Sequence, residues 1–366
     1  MSSSPVEKDK HLRVLFISRA YPPVVGGIEN QNETIGRWLP TVVSCEIIAN
    51  RKGRKWLPFF IPWAVGKSML SARRVDVVLL GDGVVAFVGW CLKLVYPNKR
   101  IVGILHGLDI TYSSRLYQKF WVGIFFSAVD RFVAVSHSTA DTAVAYGINK
   151  KRVSVIPNGV EVPEQTKPVS RTKISSLVGS DLSEKKIILT VGRLVKRKGV
   201  VWFVKNVMPA LPKDIVYIVA GDGPEKAELQ SVVQSSEYLG RVFYVGTIDD
   251  NEKKMLYSSS DLFIQPNIPV SGDVEGFGIT VLEAGSYGLP VIASDLEGLK
   301  DSVQEGANGW RVPAKDVAAY VDKIVSTINR LHDNPDLSKR IIGYVKGRFS
   351  YAVVIEQYRK VLGKAC

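Results

Sequence analysis

Two carboxylates, Glu275 and Glu283, stand eight positions apart around seven residues that are all glycine, apolar or threonine (Gly-Phe-Gly-Ile-Thr-Val-Leu). The pair could act as acid and base, or as hydrogen-bond acceptors for one polyhydroxylated ligand. Local sequence separates their roles. Asp261–Pro266 reads as a strand, the following loop is rich in glycine, and a helix is expected to start near Gly278 or Ile279 and to end at Gly288-Leu-Pro290. Glu275 then lies in the loop, whereas Glu283 lies one turn inside the helix on the face of Ile279. The amides of Gly276, Phe277, Gly278 and Ile279 would point from a helix start, where anions are favoured. Glu283 suits a vicinal diol such as a ribose, and Glu275 the hydroxyls of a sugar beyond a diphosphate. An acid serving the helix dipole beside an exposed glutamate would explain the charges, but neither the glycines nor Leu282.

Other loops carry complementary chemistry. Gly26-Gly27 allows close backbone approach ahead of a helix, although a tight turn explains it equally. Gly192-Arg193 and Lys198 follow the run Ile-Leu-Thr-Val; a guanidinium fork and an ammonium five residues apart could hold a diphosphate, or simply be solvated. Gly221-Asp-Gly-Pro-Glu225 reads as a sharp structural turn. His106 ends the run Arg-Ile-Val-Gly-Ile-Leu and precedes Gly107 and Asp109, a placement that suits a ligand or catalytic role.

Positioning these loops requires strands that end beside one another. Apolar runs at 14–18, 75–81, 100–106, 131–136 and 152–160 alternate with helix-length segments, and a second series runs at 186–194, 214–223, 241–247, 261–266, 289–295 and 310–313. The pattern predicts an α/β protein of two doubly wound, parallel, Rossmann-like domains joined through a polar stretch near 161–185. The expected division is 1–165, 166–345 and a C-terminal helical segment, 346–366, returning to the first domain. A length of 366 residues suits two domains. Ligands of such folds bind beyond the carboxyl ends of the strands, so the cleft between the domains is the expected place for one.

Composition narrows the partners. Three scattered cysteines without a Cys-x-x-Cys pair give neither a disulfide framework nor a metal site. Neither a secretory signal nor an eighteen-residue apolar run is evident. The net charge is +13, and residues 1–167 carry 22 Lys and Arg against 12 Asp and Glu. Residues 51–75 hold seven basic residues, no acidic ones, and Trp56, Phe59, Phe60 and Trp63. Such a segment fits an anionic membrane surface or nucleic acid; alternatively its rings fill a core while its charges are solvated. No recognised nucleic-acid module supports the second option. Pro58 and Pro62 predict a loop plus a short helix rather than one amphipathic helix.

Taken together, Glu275-x7-Glu283, the Gly-Arg-Leu loop with Lys198, Pro157-Asn-Gly-Val160, the early Gly-Gly loop and His106-Gly-Leu-Asp109 resemble glycosyltransferase family 4, over about residues 12–362. The resemblance implies the two-domain GT-B fold and transfer of a hexose-type sugar, with retention of configuration, from a GDP- or UDP-linked donor. By that likeness Glu283 binds the donor ribose, Glu275 contacts the donor sugar, and Arg193 and Lys198 neutralise the diphosphate. Gly26, Gly27 and the amides around Gly276–Ile279 complete the cradle, the backbone near Ile248 holds the base, and His106, with Asp109 in the same motif, addresses the sugar. The leaving phosphate oxygen takes the acceptor proton, so Glu275 is not expected to be a nucleophile. The chain has no Asp-x-Asp, so no metal or other cofactor is expected. The resemblance also strengthens the membrane reading of 51–75: the expected acceptor is a saccharide or a lipid-linked one, used in making cell-surface glycans on the cytoplasmic face of the cell membrane. A nucleotide-sugar epimerase or hydrolase of the same shape, or a non-catalytic sugar-nucleotide-binding subunit, is the alternative.

Overall fold

The computed structural model describes residues 9–24, 26–164, 171–235, 237–331 and 333–364. The tail ahead of Asp9, the expected division at 165/166 and Cys366 lie outside the described residues. The chain divides into two compact units, Met1–Gly159 with Tyr351–Cys366, and Val160–Ser350.

The first unit holds a six-stranded parallel sheet in the order β2-β1-β3-β4-β5-β6. Its strands are β1 (Asp9–Ser18), β2 (Val43–Ala49), β3 (Val77–Leu80), β4 (Arg100–Leu105), β5 (Arg131–Ala134) and β6 (Val153–Val155). β1, β3 and β4 are buried on both faces along most of their length, as continuous apolar runs in a helix-covered parallel sheet should be. Helix α1 (Gly27–Val42) runs straight into β2, a strand that the expected pattern lacks. β2 lies at the sheet edge and alternates buried and exposed positions, with Glu46 interrupting its apolar character.

Helices α2 (Leu57–Ser71) and α3 (Ala86–Val95) cover the same sheet. Phe60 and Ala64 of α2 and Val88 and Leu92 of α3 share a core with Leu15, Ile17, Val78, Leu80 and Ile101. Contrary to the loop plus short helix expected from Pro58 and Pro62, α2 is one continuous helix of 15 residues. Pro58 occupies the first turn, where an N–H has no intrahelical partner anyway, and Pro62 lies on the exposed side, so the carbonyl it leaves unbonded can meet water.

The second unit is a six-stranded parallel sheet in the order β12-β11-β10-β7-β8-β9. The strands are β7 (Lys186–Val191), β8 (Ile215–Ala220), β9 (Val242–Gly246), β10 (Leu262–Gln265), β11 (Val291–Ser294) and β12 (Gly309–Val312). Alternate residues feed two cores: Ile188, Tyr217, Val219, Ile264 and Ile292 on one face, and Ile187, Leu189, Val216, Ile218, Phe263 and Val291 on the other. Both sheets are doubly wound, and the strand order reverses between β1 and β3 in one and between β7 and β10 in the other.

The helix Leu337–Phe349 stays with the second unit, where Phe349 packs edge-on against Phe277 with ring centroids 6.0 Å apart. The helix Tyr351–Gly363 packs on α1 in the first unit, with Trp38 and Tyr351 stacked at 6.3 Å. Arg100 at the start of β4 donates to the Val361 carbonyl at 2.8 Å. The change of unit thus falls at 350/351, five residues beyond the 345/346 expected from sequence.

Candidate active site

The reversal between β7 and β10 places two loops side by side in the second unit. The loop after β7 carries Arg193 and a short turn, Lys196–Lys198, that ends at Gly199. Gly199 has φ +64°, and a Cβ there would lie 2.0 Å from the Pro266 carbonyl oxygen, so this position demands glycine. The close approach is reinforced by the Ile268 amide donating to the Arg197 carbonyl at 2.8 Å. Side chains of the first loop are thereby carried to the end of β10.

There Lys198 and Glu275 form a buried ion pair, Nζ to Oε2 at 2.6 Å. Arg197 binds the same carboxylate and reaches Asp273 at 2.9 Å, and the Asn267 amide donates to Glu275 at 3.2 Å. Burial alone would raise the Glu275 pKa, but the Lys198 and Arg197 charges outweigh it and bring it down to about 2. Burial, aided by the Arg197 charge, lowers the Lys198 pKa against the pull of Glu275. Glu275 is therefore a carboxylate at any physiological pH, an acceptor and not a proton donor.

Asn267 is itself aligned by a chain of side chains. Thr280 donates to Gln265 at 3.2 Å, and Gln265 donates to the Asn267 carbonyl oxygen at 2.6 Å. The main chain of Glu275 is pinned from the other side: its amide donates to the Glu297 carboxylate at 2.5 Å, and its carbonyl accepts from Gly298 at 3.1 Å. Glu297 holds φ +47°, a conformation costly for any residue but glycine. Burial first, then the nearby Glu275 charge, raise its pKa, opposed by the bond from the Glu275 amide.

The helix that follows is Ile279–Ser286, capped by Gly278 at φ +82°, where a Cβ would come within 2.6 Å of Leu299. Gly276 sits in the loop before it. The side chain of Phe277 is in the core against Phe349, which leaves only its backbone for a ligand. Glu283 is half-buried and accepts from the Tyr257 hydroxyl at 2.9 Å. Lys253 is held above its ordinary pKa; burial opposes this, and the Glu283 and Asp250 carboxylates prevail. Arg193 is exposed. Ile248 is half-buried between β9 and the Asp249-capped helix Asp250–Ser259.

In the first unit the corresponding reversal, between β1 and β3, is closed by a different network. His106 is buried, and its Nε2 donates to the Gly81 carbonyl at 2.9 Å, which fixes the proton on that nitrogen. Asp109 accepts from the His106 and Gly107 amides at one oxygen and from the Gly83 amide at the other, each at 3.0 Å. Its carboxylate thereby ties the His106 loop to the turn after β3. Burial pushes its pKa up. Arg19 and the fully buried Asp82 pair at 3.1 Å beside it. At Gly26, the cap of α1, a Cβ would lie 2.2 Å from the Glu29 carboxylate, whereas at Gly27 it would meet nothing within 4 Å.

Arg197, Asn267 and Glu297 were missed from sequence. Arg197 was hidden in the run Lys-Arg-Lys, where spacing alone does not say which cation turns inward. Asn267 sits just past β10 and was readable as a loop residue. Nothing local marks Glu297, which acts through a fold contact 22 residues away. A cavity of about 300 Å³ lined by Asp130, Arg131, Lys151 and Arg152 lies at the amino ends of β5 and β6, the wrong end of a parallel sheet for the expected ligand. Among the described residues no group of three His, Cys, Asp or Glu could hold a metal.

Comparison with known proteins agrees with the geometry. The family described as glycosyltransferase family 4 matches residues 10–163, and glycosyl transferases group 1 matches residues 179–348. An uncharacterized glycosyltransferase of Methanocaldococcus jannaschii is 24% identical over 355 residues, 86% of this chain and 89% of its own length. A phosphatidyl-myo-inositol mannosyltransferase of Mycobacterium leprae is 31% identical over 216 residues, 56% of this chain and 52% of its own. The crystal structure of Anabaena HepE in complex with UDP and glucose superposes with a TM-score of 0.78 at 18% identity, covering 96% of this chain and 99% of that one. The chain belongs to glycosyltransferase family 4, with the GT-B fold, and acts as a glycosyltransferase on sugar nucleotides.

Proposed function

We propose that the protein is a retaining hexosyltransferase that uses a UDP- or GDP-linked sugar and a saccharide or lipid-linked acceptor at a membrane surface. The observation that carries this reading is the buried Glu275 carboxylate, ionised by Lys198 and Arg197 at the carboxyl ends of β7 and β10. A carboxylate with a pKa near 2 accepts hydrogen bonds from sugar hydroxyls and does not donate a proton. Lys198 and the exposed Arg193 stabilise charge as the diphosphate leaves, and the amides of Gly276, Phe277, Gly278 and Ile279 add to that. Glu283 takes the ribose diol, with Tyr257 orienting it. The backbone near Ile248 is assigned to the base, and His106 is the first unit's contribution to the reaction. Asp109 supports His106 by shaping its loop. In this reading the cations supply what a metal would, and no further cofactor is needed.

The donor half is tested by thermal shift with UDP, GDP, ADP and their sugars. A nucleoside diphosphate should raise the melting temperature by mass action, and Glu283→Ala should remove most of the rise. No shift with any of them at millimolar concentration would refute the assignment. Turnover of the nucleotide sugar with no acceptor, at the rate seen with acceptor, would favour the hydrolase or epimerase alternative.

A membrane location is supported by the outward face of α2. Trp56, Phe59, Trp63 and Leu70 are exposed, whereas Phe60 is in the core, so the segment 51–75 divides its aromatics between the two readings left open by the sequence. Lys52 lies over the Trp56 ring at 4.3 Å and Lys67 over Trp63 at 5.5 Å. Among the described residues no helix is long and apolar enough to cross a membrane. We assign this face to an anionic bilayer on the cytoplasmic side, where a polysaccharide or glycolipid acceptor would be presented. Flotation with vesicles of anionic or neutral lipid, at low and high salt, checks it; equal binding to both lipids would remove the electrostatic component.

A further inference from the structure

Residues 112–125 show a four-residue repeat that the reading above leaves unused. Tyr112, Leu116, Phe120 and Ile124 are exposed by 54%, 69%, 40% and 39%, an apolar stripe on the outside of the segment. One position further on, Tyr117, Trp121 and Phe125 turn inward as a ladder, with Tyr117 stacked on Trp121 at 5.4 Å and Trp121 edge-on to Phe125 at 5.0 Å. Phe125 continues to Phe87 at 5.1 Å and Trp90 at 5.5 Å, both on α3, which packs on α2. The inward row is fastened by polar contacts: the Tyr117 hydroxyl to the Asp109 carbonyl at 2.8 Å, Gln118 to the Ile110 and Tyr112 carbonyls at 2.8 Å each, and Trp121 Nε1 to the Val84 carbonyl at 2.7 Å. The segment is thus held on a rigid base while its apolar stripe faces solvent.

Charge identifies what the stripe would meet. Residues 47–129 contain twelve Lys and Arg and only three carboxylates, Asp76, Asp82 and Asp109. Asp82 and Asp109 are buried, and Asp76 is taken by Arg13 through two contacts, at 3.1 and 2.7 Å. The layer formed by α2, α3 and 112–125 therefore presents Arg115, Lys119, Lys67 of α2 and the cations at 51–55 just ahead of it with hardly a compensating acid. Exposed rings and aliphatic side chains among uncompensated cations complement a surface with anionic headgroups above hydrocarbon.

We propose that Tyr112, Leu116, Phe120 and Ile124 are a second membrane-inserting element, acting with α2 and joined to the His106–Asp109 loop through Tyr117. The inference rests on the membrane reading of α2. Insertion of the stripe places the His106 loop at a fixed height over the headgroups, where the reacting group of a lipid-linked acceptor would be.

The test uses the full chain and vesicles of phosphatidylcholine, with and without phosphatidylglycerol, at 0.05 and 0.5 M salt. Wild type should bind the anionic vesicles at low salt and keep part of that binding at high salt. Leu116→Ser with Phe120→Ser should keep its melting temperature and lose at least tenfold in binding, most completely at 0.5 M salt, where only apolar insertion survives screening. Lys52→Glu with Lys55→Glu should instead lose the low-salt, anionic-dependent part. Failure of wild type to bind overturns both readings. Wild-type binding by the serine variant, with loss in the glutamate variant, overturns this proposal alone. A change in oligomeric state of the serine variant without change in vesicle binding also overturns it, and makes the stripe a contact between copies of the chain.

Discussion

The loops that follow β10 and β4 each bury a carboxylate at the carboxyl ends of a parallel sheet, yet the two acids live in opposite surroundings. Glu275 is met by two cations and an amide side chain, and its pKa falls to about 2. Asp109 is met by three main-chain amides, and burial moves its pKa upward. Buried charge is tolerated only when paired, and the cations beside Glu275 are what keep it ionised. Main-chain amides of three residues bind both oxygens of Asp109. In the proposed reading one acid faces the donor sugar, and the other holds the loop that carries His106.

This contrast can be broken most directly at Glu275. Glu275→Gln should cut transfer by about 10³-fold, the scale of removing one preorganised electrostatic contact, and should melt below wild type at neutral pH because Lys198 and Arg197 lose their anion. Glu275→Ala should also unfold more readily, by roughly 3 kcal/mol, because it leaves Lys198 buried without its partner. Activity within tenfold of wild type in the Gln variant would erase the distinction between the two acids. At Asp109 the order reverses: Asp109→Ala strands three buried amides and should lose about 2–3 kcal/mol in denaturant unfolding, with activity falling only as His106 loses its place.

Glu297 sharpens the comparison from the side. Glu297→Gly relieves a left-handed backbone conformation and should leave stability unchanged or raise it by roughly 1 kcal/mol. It also frees the Glu275 amide, so kcat should fall about tenfold while the donor KM stays near wild type. A merely structural Glu297 would leave kcat alone.

The smallest effect is in the pH dependence of melting. Glu275 has a depressed pKa, so its contribution is present above pH 4.5 and is lost as pH falls toward 2. Asp109 has a raised pKa, so its contribution is present below its unfolded value and is lost as pH rises through its folded one. Melting curves of Glu275→Gln and Asp109→Asn should therefore depart from wild type with opposite slopes. Parallel curves would show that the two sites do not differ in charge state.

The fold was largely legible because a parallel sheet covered by helices writes its strands as uninterrupted apolar runs, and eleven of the twelve strands coincide with such runs. β2 escaped because an edge strand keeps one side polar, and Glu46 breaks its pattern. α2 was misjudged because proline's cost depends on whether the affected carbonyl is buried, which spacing does not reveal. At the site, the helix start at Ile279 followed from glycine and proline punctuation, and the placement of Glu275 before it and Glu283 within it followed from counting.

Sequence by itself determined the two doubly wound sheets and the glycine-rich loops at their strand ends, since these depend on local pattern and period. Only the tertiary structure decided which cation meets Glu275, that Glu297 pins its main chain, and that Asp109 is spent on amides. Those contacts join residues 78 and 22 positions apart in one case and an acid to whichever backbone folds beside it in the other. The charge state of a carboxylate follows from what surrounds it in space, and a linear chain does not carry that until it has closed on itself.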